Sequence, residues 1–520
     1  MPMRLNWLNN KFLNEIFNLI KYKQMQKIIL TGIFIFLGLT GLLAQEALTL
    51  EKALEISESG SPDLQLSILN LERSQKNLEA QRAALKSRLS LDVTPVNYSN
   101  QRRFDTRVSE WYTNESWTSN ARFLISQPIL PTDGTISLSN DFGWQNSTSD
   151  ANNTTTQSKR FYNNLYLNFN QPLFTYNRLK LQLKELELSL ENANISYAIQ
   201  RLNLEKNVTQ FFYNVFMAQK NLAIAQEELV NTQKSYDIIK NKVDAGLAAK
   251  EEFYQAELNL STSKSGLQNS EVSYENAKDQ LKLYLGMDLY KDILVLADIS
   301  ANPVKVDMDL AIDNGLKSRM ELRQREIDIE SSQFDMIVTK SLNEFRGDVN
   351  LRLGISGDNE DLGQIFDSPT RSPSANLSFS IPIFDWGEKK ARIAAQEATI
   401  KSQELNLSEE KKQIIIGIRQ VYRNLQNQLN QIEIAKQNET NAQLTYEINL
   451  ERYENGDLTG MDLNLYQTQL SEKKLTLAQS LINYKIELLN LKIQSLYDFE
   501  KGEPILPAEL YLNNKNETEK

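Results

Sequence analysis

The side chains of this chain that could do chemistry are carboxylates, amides and hydroxyls. Its 520 residues include no cysteine and no histidine, and 67 acidic residues outnumber 57 basic ones. Thiolate and imidazole nucleophiles, Cys/His zinc sites and the commonest general base near neutral pH are therefore absent from the sequence. The net charge of -10 also argues against a nucleic-acid partner, which requires clustered Lys and Arg. The composition thus argues against most enzyme classes, although a site of carboxylates alone or of Ser and Lys stays open as the alternative. We expect a protein that is not an enzyme and that needs no cofactor or metal.

Two carboxylates occupy matching places after glycine turns. Glu252 lies six residues after Gly246, and Asp462 lies six residues after Gly456. A carboxylate at the start of a helix is stabilised by the helix dipole, so a helix-start role is one interpretation of Asp462. A nucleotide-binding loop of the Walker type does not occur in the sequence, so the chain has no motif that would supply energy.

Residues 1–44 are predicted to be a leader and an export signal. Basic residues (Lys21, Lys23 and Lys27) precede the apolar stretch 28–43, and Ala44 offers a small-residue cleavage point. The stretch is short for a membrane span, which takes roughly 20 apolar residues, but an N-terminal anchor helix is the alternative. Met25 directly precedes the compact signal, so 1–24 is interpreted as an upstream mis-start.

Long helices are predicted for 177–241 and 388–453, which lack proline and carry apolar residues at helical spacing. At about 1.5 Å per residue, each would extend on the order of 100 Å. In the C-terminal segment two sets of apolar residues recur every seven positions: Leu463, Leu470, Leu477, Tyr484 and Leu491, and Leu475, Ile482, Leu489 and Leu496. Two such seams on one helix favour neighbours on both sides, as in a bundle or a closed ring of helices.

The chain also repeats itself. The segment from Phe169 to Phe174 aligns with the segment from Phe379 to Phe384 at an offset of 210, which also separates Gly246 from Gly456. Upstream, Ala53-Leu54-Glu55 aligns with Ala311-Ile312-Asp313 at an offset of 258, so the first copy holds 48 extra residues (258 minus 210). The repeat predicts a first unit over 45–290 and a second over 291–500, followed by a polar tail at 501–520.

Alternating apolar and polar residues predict four strands, at about 89–99, 161–173, 349–357 and 375–383. Their length suits tilted strands that cross a bilayer, although four half-buried strands of a soluble sheet are the alternative. The extra residues predict a further hairpin at 121–145, turning at Asp133-Gly134 and lying either in the sheet or outside the cell. Residues 146–158 are rich in Ser, Thr and Asn and are predicted to form a surface loop.

Four strands cannot close a membrane barrel, since the smallest ones use about eight. Open sheet edges in lipid leave backbone groups unpaired, and this would require other copies of the chain to complete the barrel. The strand count therefore predicts a homo-oligomer.

From about Leu48 to Phe499, the sequence resembles the TolC-like outer-membrane efflux protein family. The likeness lies in the duplicated strand-to-helix motifs, which contain Pro172, Phe174, Pro382 and Phe384, and in the Gly246 and Gly456 turns. It implies a fold that is mainly α with a small β part, built from a duplicated helix-strand-strand-helix unit. It also implies a homotrimer in the outer membrane of a Gram-negative-type cell, whose twelve-stranded β-barrel joins a long α-helical periplasmic barrel.

The resemblance further implies partners and roles for particular residues. The turns at the periplasmic ends of the long helices, called the tips below, would contact a periplasmic adaptor of the membrane-fusion type. This adaptor links the outer-membrane channel to an inner-membrane transporter. The tip residues are Ala245, Gly246, Leu247 and Ala248, and Asn455, Gly456, Asp457 and Leu458. Asp462 would ring the periplasmic entrance and favour cations. Glu252 and Tyr453 match a pair that tethers inner helices in the closed state, although Tyr453 could instead serve helix packing. A helix C-cap role applies to both glycines in any case.

Two positions depart from the family pattern. Leu465 stands where a second entrance aspartate is expected, and Leu458 stands where an arginine is expected. The closed state should therefore be locked differently, and the cation preference should be weaker. The sequence favours a passive outer-membrane efflux or secretion duct in contact with membrane lipid; a periplasmic coiled-coil scaffold that binds partners without conducting is the alternative.

Overall fold

The computed structural model describes residues 46–106, 109–151, 154–300, 302–455 and 457–511. The leader and signal predicted for 1–44, the turn residue Gly456 and the last nine residues of the predicted tail lie outside this part of the chain. The described part is mostly helical, with one large sheet.

Nine α-helices and eleven strands are found in the described residues and are numbered in chain order. The helices are α1 (Leu50–Gly60), α2 (Pro62–Ala84), α3 (Arg178–Asp244), α4 (Lys250–Leu285), α5 (Met308–Ser318), α6 (Met320–Lys340), α7 (Glu388–Glu454), α8 (Gly460–Ser495) and α9 (Pro507–Leu510). The strands are β1 (Glu46–Leu48), β2 (Arg88–Asp105), β3 (Glu110–Ile129), β4 (Gly134–Ala151), β5 (Thr154–Leu173), β6 (Ile293–Val295), β7 (Arg346–Asn359), β8 (Thr370–Arg371), β9 (Ser374–Ser380), β10 (Tyr497–Asp498) and β11 (Glu503–Pro504).

The helices of the two halves match in length and spacing. Helices α3 and α7 have 67 residues each, and α4 and α8 have 36 each. Both pairs begin 210 positions apart, at Arg178 and Glu388 and at Lys250 and Gly460. Helices α1 and α5 have 11 residues each and begin 258 positions apart. These are the two offsets found in the sequence.

The described residues divide into two compact units. The first comprises 46–62, 205–302 and 428–486, and the second comprises 63–204, 303–427 and 487–511. In the first unit, β1 and β6 pair in parallel, with Glu46 opposite Ile293 and Leu48 opposite Val295. Helix α1 ends at Gly60, where an added Cβ would lie 2.3 Å from the Leu285 carbonyl oxygen. A glycine is therefore required where the ends of α1 and α4 meet.

The second unit has an apolar core beside its sheet. Ile195, Ala198 and Leu202 of α3 pack with Met320 and Ile327 of α6. The C-terminal segment also packs against this cluster, through Ile505, Leu510 and Tyr511. The segment predicted to be a polar tail thus contributes to the core as far as Tyr511.

The large sheet lies entirely in the second unit. Its order is β2-β3-β4-β5-β7, and β8 and β9 both pair with β7 on the far side. Every neighbouring pair is antiparallel. The predicted extra hairpin corresponds to β3 and β4, which lie inside the sheet between β2 and β5.

Two sequence predictions for the sheet were wrong. Most of the stretch 146–158, predicted as a loop, is strand, because its Ser, Thr and Asn residues continue the β4–β5 ladder, with Asn146 opposite Lys159 and Ser147 opposite Ser158. The last strand ends at Ser380 rather than near 383. Its partner strand β7 begins at Arg346, which stands opposite Ser380, so the β7–β9 ladder ends there.

The other strands extend beyond their predicted limits. The strand predicted at 89–99 is β2, which continues to Asp105 through an irregularity in register between Thr94 and Asn97. Pro95 lies at this irregularity, where a missing donor is tolerated. Among the described helices, none is both long enough and apolar enough to cross a membrane.

Candidate functional site

The large sheet has one apolar face. A single row of aliphatic residues crosses five strands in register: Leu89, Ile125, Leu138, Leu167 and Leu353. The row is exposed, with 62% of Leu89 and 60% of Leu353 accessible. Such a large exposed apolar surface marks a face that meets lipid or another protein.

The opposite face is polar. The neighbouring row crosses six strands and consists of Arg88, Ser126, Ser137, Asn168, Arg352 and Ser374. Arg122 of β3 forms an ion pair of 3.1 Å with Asp141 of β4, and the Arg352 guanidinium lies 3.5 Å from the centre of the Tyr166 ring. Because side chains alternate along each strand, the sheet separates an apolar side from a charged, hydrogen-bonding side.

Two tyrosines on the polar face lie against glycines of the adjacent strand. An added Cβ on Gly143 would be 2.5 Å from the Tyr162 hydroxyl oxygen, and one on Gly354 would be 2.7 Å from the Tyr166 ring. Both pairs are direct cross-strand neighbours. Aromatic cover of a strand glycine is a known way to stabilise a curved sheet. These pairs could not be predicted from the sequence, because they depend on the strand register.

The first strand-to-helix transition is tied to the β3–β4 turn. Pro172 still pairs with Asp348 at the end of β5, and Phe174 follows with a positive φ of 58°. The Asn177 side chain accepts from the Lys180 N–H at 2.8 Å and donates to the Leu130 carbonyl at 2.6 Å.

The carboxylate of Asp133, in the β3–β4 turn, completes this cap. It accepts from the N–H groups of Arg178 and Leu179, the first residues of α3, at 3.3 Å each. The start of α3 is therefore capped both by its own Asn177 and by a residue more than forty positions upstream.

The second transition is capped locally. Asp385 accepts from the backbone N–H groups of Gly387 at 3.0 Å and Lys389 at 3.1 Å. Pro382 precedes it outside any strand, and the ring of Phe384 packs against that of Trp386 at 4.7 Å. Trp386 is 90% exposed.

The first helical tip is a Schellman turn centred on Gly246. Gly246 has φ of 74°, its N–H donates to Val243, and the Leu247 N–H donates to the Lys242 carbonyl at 2.8 Å. Ala245 and Leu247 are exposed, Leu247 to 79%, and Ala248 is half-buried. The C-cap role expected for Gly246 is therefore confirmed, and the tip presents an apolar side chain.

The second tip has a corresponding hydrogen bond. The Asp457 N–H donates to the Arg452 carbonyl at 2.9 Å, and both residues lie 210 positions after their counterparts in the first tip. Asn455 and Asp457 are exposed and Leu458 is half-buried, whereas Gly456 lies outside the described residues.

Asp462 and Thr459 form a reciprocal pair of hydrogen bonds at the start of α8. The Asp462 N–H donates to the Thr459 hydroxyl oxygen at 3.2 Å, and that hydroxyl donates to the Asp462 carboxylate at 2.7 Å. The corresponding position in the first half, Ala249, has no side chain that can cap α4. Asp462 and Glu252 are both exposed. The helix-start interpretation thus describes the local geometry of Asp462, and its carboxylate is also open to solvent.

Tyr453 is buried, with 8% of its surface exposed. Its ring lies 5.8 Å from the Lys242 ammonium and close to Gly460, where an added Cβ would be 3.7 Å from a ring carbon. Burial raises the pKa of Tyr453, and its buried hydroxyl oxygen has no hydrogen-bond partner among the described residues. The contacts found for Tyr453 in the described residues thus support helix packing, and its tether to Glu252 stays a prediction.

Glu252 instead lines a cavity of about 180 Å³ within the first unit. Helix α3 supplies Thr232 and Tyr236, and α8 supplies Met461 and Asn464. The rings of Tyr236 and Phe253 lie 5.5 Å apart in the same region.

Comparison with known proteins decides the family. The family model described as outer membrane efflux protein matches residues 135–287 and 311–493, which is more than half of the chain. The chain belongs to the outer membrane efflux protein family. This membership confirms the resemblance that the sequence motifs indicated, and members of the family are transport channels rather than enzymes. As an outer-membrane efflux channel, the chain lies in the outer membrane, with a large periplasmic part.

Individual relatives are distant in sequence. The chain is 21% identical over 384 residues to outer membrane protein TolC of Escherichia coli, covering 70% of this chain and 74% of that protein. It is 24% identical over 198 residues to the cation efflux system protein CusC of Escherichia coli, covering 37% and 42% respectively.

Solved structures of family members share the fold. The crystal structure of the Campylobacter jejuni CmeC outer membrane channel matches with a TM-score of 0.66 at 14% identity, covering 88% of this chain and 86% of that one. The CusC crystal structure matches with a TM-score of 0.63 at 15% identity, covering 86% and 92%. The mainly helical architecture with a smaller sheet is thus that of the family.

Proposed function

We propose that the chain is the outer-membrane component of a tripartite efflux or secretion system and acts as a passive duct from periplasm to exterior. It works as a homotrimer, with a periplasmic adaptor and an inner-membrane transporter as partners and outer-membrane lipid around its sheet. The observation that carries this proposal is the two-faced sheet: aliphatic rows on one side and charged or polar rows on the other. Such a sheet suits a wall with lipid outside and water inside.

The edges of the sheet support assembly with sister copies. Among the described strands, β2 has a neighbour on one side only, and β8 and β9 lie end to end at the opposite edge. An open edge within lipid leaves N–H and C=O groups unpaired, at a cost of several kcal/mol each. Pairing the β2 edge of one copy with the β8–β9 edge of the next would remove this cost and close the wall.

The helices support a duplicated unit and a periplasmic tunnel. The equal lengths of α3 and α7, and of α4 and α8, give each copy four long helices in two matching pairs. The seam residues Leu463, Leu470 and Tyr484 of α8 are buried, as a helix with neighbours requires. Three copies would supply twelve long helices to the tunnel.

The two tips are the proposed adaptor contacts. The first comprises Ala245 to Ala248, with an exposed Leu247, and the second comprises Asn455 to Leu458. One apolar tip and one more polar tip would give the adaptor two different contacts on each copy.

The exposed carboxylates near the tips are proposed to line the periplasmic entrance of the channel. Three symmetry-related copies of Asp462 at a constriction would attract cations and repel anions. We therefore expect Asp462→Asn to reduce the cation preference of reconstituted channels, measured as the reversal potential in a salt gradient. Glu271→Gln, which removes an exposed carboxylate elsewhere on α4, is the charge-matched control. An unchanged reversal potential in Asp462→Asn would refute the entrance assignment.

Conduction itself tests the proposal. The purified protein should require detergent for extraction from outer membranes and should give single-channel currents in planar bilayers. A periplasmic scaffold would instead be soluble in buffer and silent in the bilayer. A soluble protein without channel currents would overturn the proposal that the chain is a duct.

A further inference from the structure

We propose that the β3–β4 hairpin forms part of the transmembrane wall, so that each copy contributes six strands rather than the four of the family pattern. This inference rests on the proposed function, because it takes the sheet to be the wall of a trimeric duct. The strands are β2, β3, β4, β5, β7 and β9, with the two-residue β8 continuing the line of β9.

The hairpin continues both faces of the sheet without a break. In the apolar row, Ile125 and Leu138 stand between Leu89 of β2 and Leu167 of β5. In the polar row, Ser126 and Ser137 stand between Arg88 and Asn168. Inserting two strands preserves the alternation, because β2 and β5 remain antiparallel and keep the same faces. A hairpin outside the membrane would have no need of this match.

The β2–β3 pair and the β4–β5 pair also end in the same way. Gln127-Pro128 lies just before the last residue of β3, and Gln171-Pro172 lies just before the last residue of β5, 44 positions later (171 minus 127). Each glutamine amide donates to the carbonyl of the following proline, at 2.7 Å for Gln127 and 2.9 Å for Gln171. The β2–β3 pair therefore closes in the same way as the β4–β5 pair.

The aromatic residues further along the strands show the same spacing. Trp117 of β3 stands opposite Tyr98, and Phe161 of β5 stands opposite Trp144. Trp117 and Phe161 are again 44 positions apart (161 minus 117). The β2–β3 and β4–β5 pairs thus place aromatic residues on the same face of the sheet, as expected if both strand pairs meet the same environment.

The turn of the inserted hairpin is built into the sheet-to-helix junction. The Asp133 carboxylate caps the first N–H groups of α3, and the Leu130 carbonyl accepts from Asn177. On the other side, the Gln127 amide donates to the Leu85 carbonyl at 2.9 Å, just after α2. The β3–β4 hairpin is therefore hydrogen-bonded both to the segment that follows α2 and to the first residues of α3.

A wider wall follows from the strand count. Three copies of six strands would give eighteen strands, where the family pattern gives twelve. Since barrel diameter grows roughly linearly with strand number, the wall would be about 1.5-fold wider. Arg122 and Asp141 of the hairpin would then face the water-filled interior, which agrees with their ion pair on the polar face.

Cysteine labelling of the full-length protein in outer membranes tests the inference, because the native sequence holds no cysteine. In β4, Ser139→Cys lies on the polar face and Leu138→Cys on the apolar face; in β5, Asn168→Cys and Leu167→Cys are the matched positions. We expect a water-soluble maleimide to label Ser139→Cys and Asn168→Cys. Labelling of Leu138→Cys and Leu167→Cys should be lost in membranes and restored in denaturant.

The β5 pair separates the two possible failures. If both β4 positions are labelled while the β5 positions alternate, the hairpin stands outside the wall, and the six-strand inference is overturned while the duct stands. If neither strand alternates, the sheet is not a membrane wall, and the proposed function fails with the inference. Restoration of labelling in denaturant shows that each cysteine is present and reactive.

Discussion

The two halves of the chain differ far more in their strands than in their helices. The long helices of each half have the same lengths and the same offset, whereas the first half contributes β2, β3, β4 and β5 to the sheet and the second contributes β7, β8 and β9. A helix that packs against neighbours along its length cannot change length alone, because every seam position would shift. A sheet accepts an extra hairpin more readily, because two strands restore the original direction and alternation.

The ends of the second long helices show a further difference between the halves. Helix α4 ends at Leu285 and is capped by Gly286, with φ of 69°, where an added Cβ would be 1.9 Å from the Gly60 carbonyl oxygen. The position equivalent to Gly286, 210 residues later, is Leu496, which keeps a positive φ of 48° and is 1% exposed. The first half turns through close backbone contact, and the second turns with a buried side chain.

The largest effect is therefore expected from Gly286→Ala. The left-handed backbone and the clash with Gly60 should together cost about 2–4 kcal/mol. The measurement is the thermal midpoint of the detergent-solubilised protein, followed by far-UV circular dichroism. The control is Gly266→Ala, at a helical position with open space around it. This substitution should raise the free energy of unfolding by about 0.5–1 kcal/mol, since alanine is more stable than glycine in a helix interior. Equal midpoints for the two variants would show that the Gly60–Gly286 contact does not constrain the first half.

The tips give a second, smaller contrast. Thr459→Ala removes the side-chain cap at the start of α8 and should lower the free energy of unfolding by about 1 kcal/mol. Ala249→Ser should act in the opposite direction, because it would add the missing cap at α4, with Glu252 at the third helical position to complete a capping box. Both are measured as shifts in the thermal midpoint. A loss of stability in Ala249→Ser would contradict the equivalence of the two helix starts.

The smallest contrast between two variants is expected at the strand-to-helix transitions. Asp385→Ala removes two backbone hydrogen bonds at α7 and should cost about 1 kcal/mol. Asp133→Ala removes two longer ones at α3, where Asn177 still caps the helix, and should cost only about 0.5 kcal/mol. Hydrogen exchange in the first turns of α3 and α7 is the measurement. A larger effect for Asp133→Ala than for Asp385→Ala would show that the β3–β4 turn dominates the cap.

Sequence periodicity was sufficient for the long helices, because an apolar seam repeated over dozens of residues has few alternative interpretations. It predicted 177–241 and 388–453, close to α3 and α7. It was weaker for the sheet, where the polar stretch 146–158 resembles a loop until its partner strands are known. The Asp133 cap and the packing of Tyr453 against Gly460 could not be predicted, since each joins positions through space rather than through local spacing. The roles of Asp462 and Glu252 at the entrance stay predictions.

Closure of the sheet by sister copies is the central claim, and disulfide cross-linking of its two edges tests it most directly. Ser90→Cys in β2 is combined in turn with Ser374→Cys, Asn376→Cys or Ser378→Cys in β9, which lie on the same polar face. As a control, Ser137→Cys with Asn168→Cys joins neighbouring strands within one copy. We expect at least one edge pair to give a ladder that ends at three copies, and the control pair to stay monomeric. Edge pairs that remain monomeric while the control disulfide forms would contradict the account.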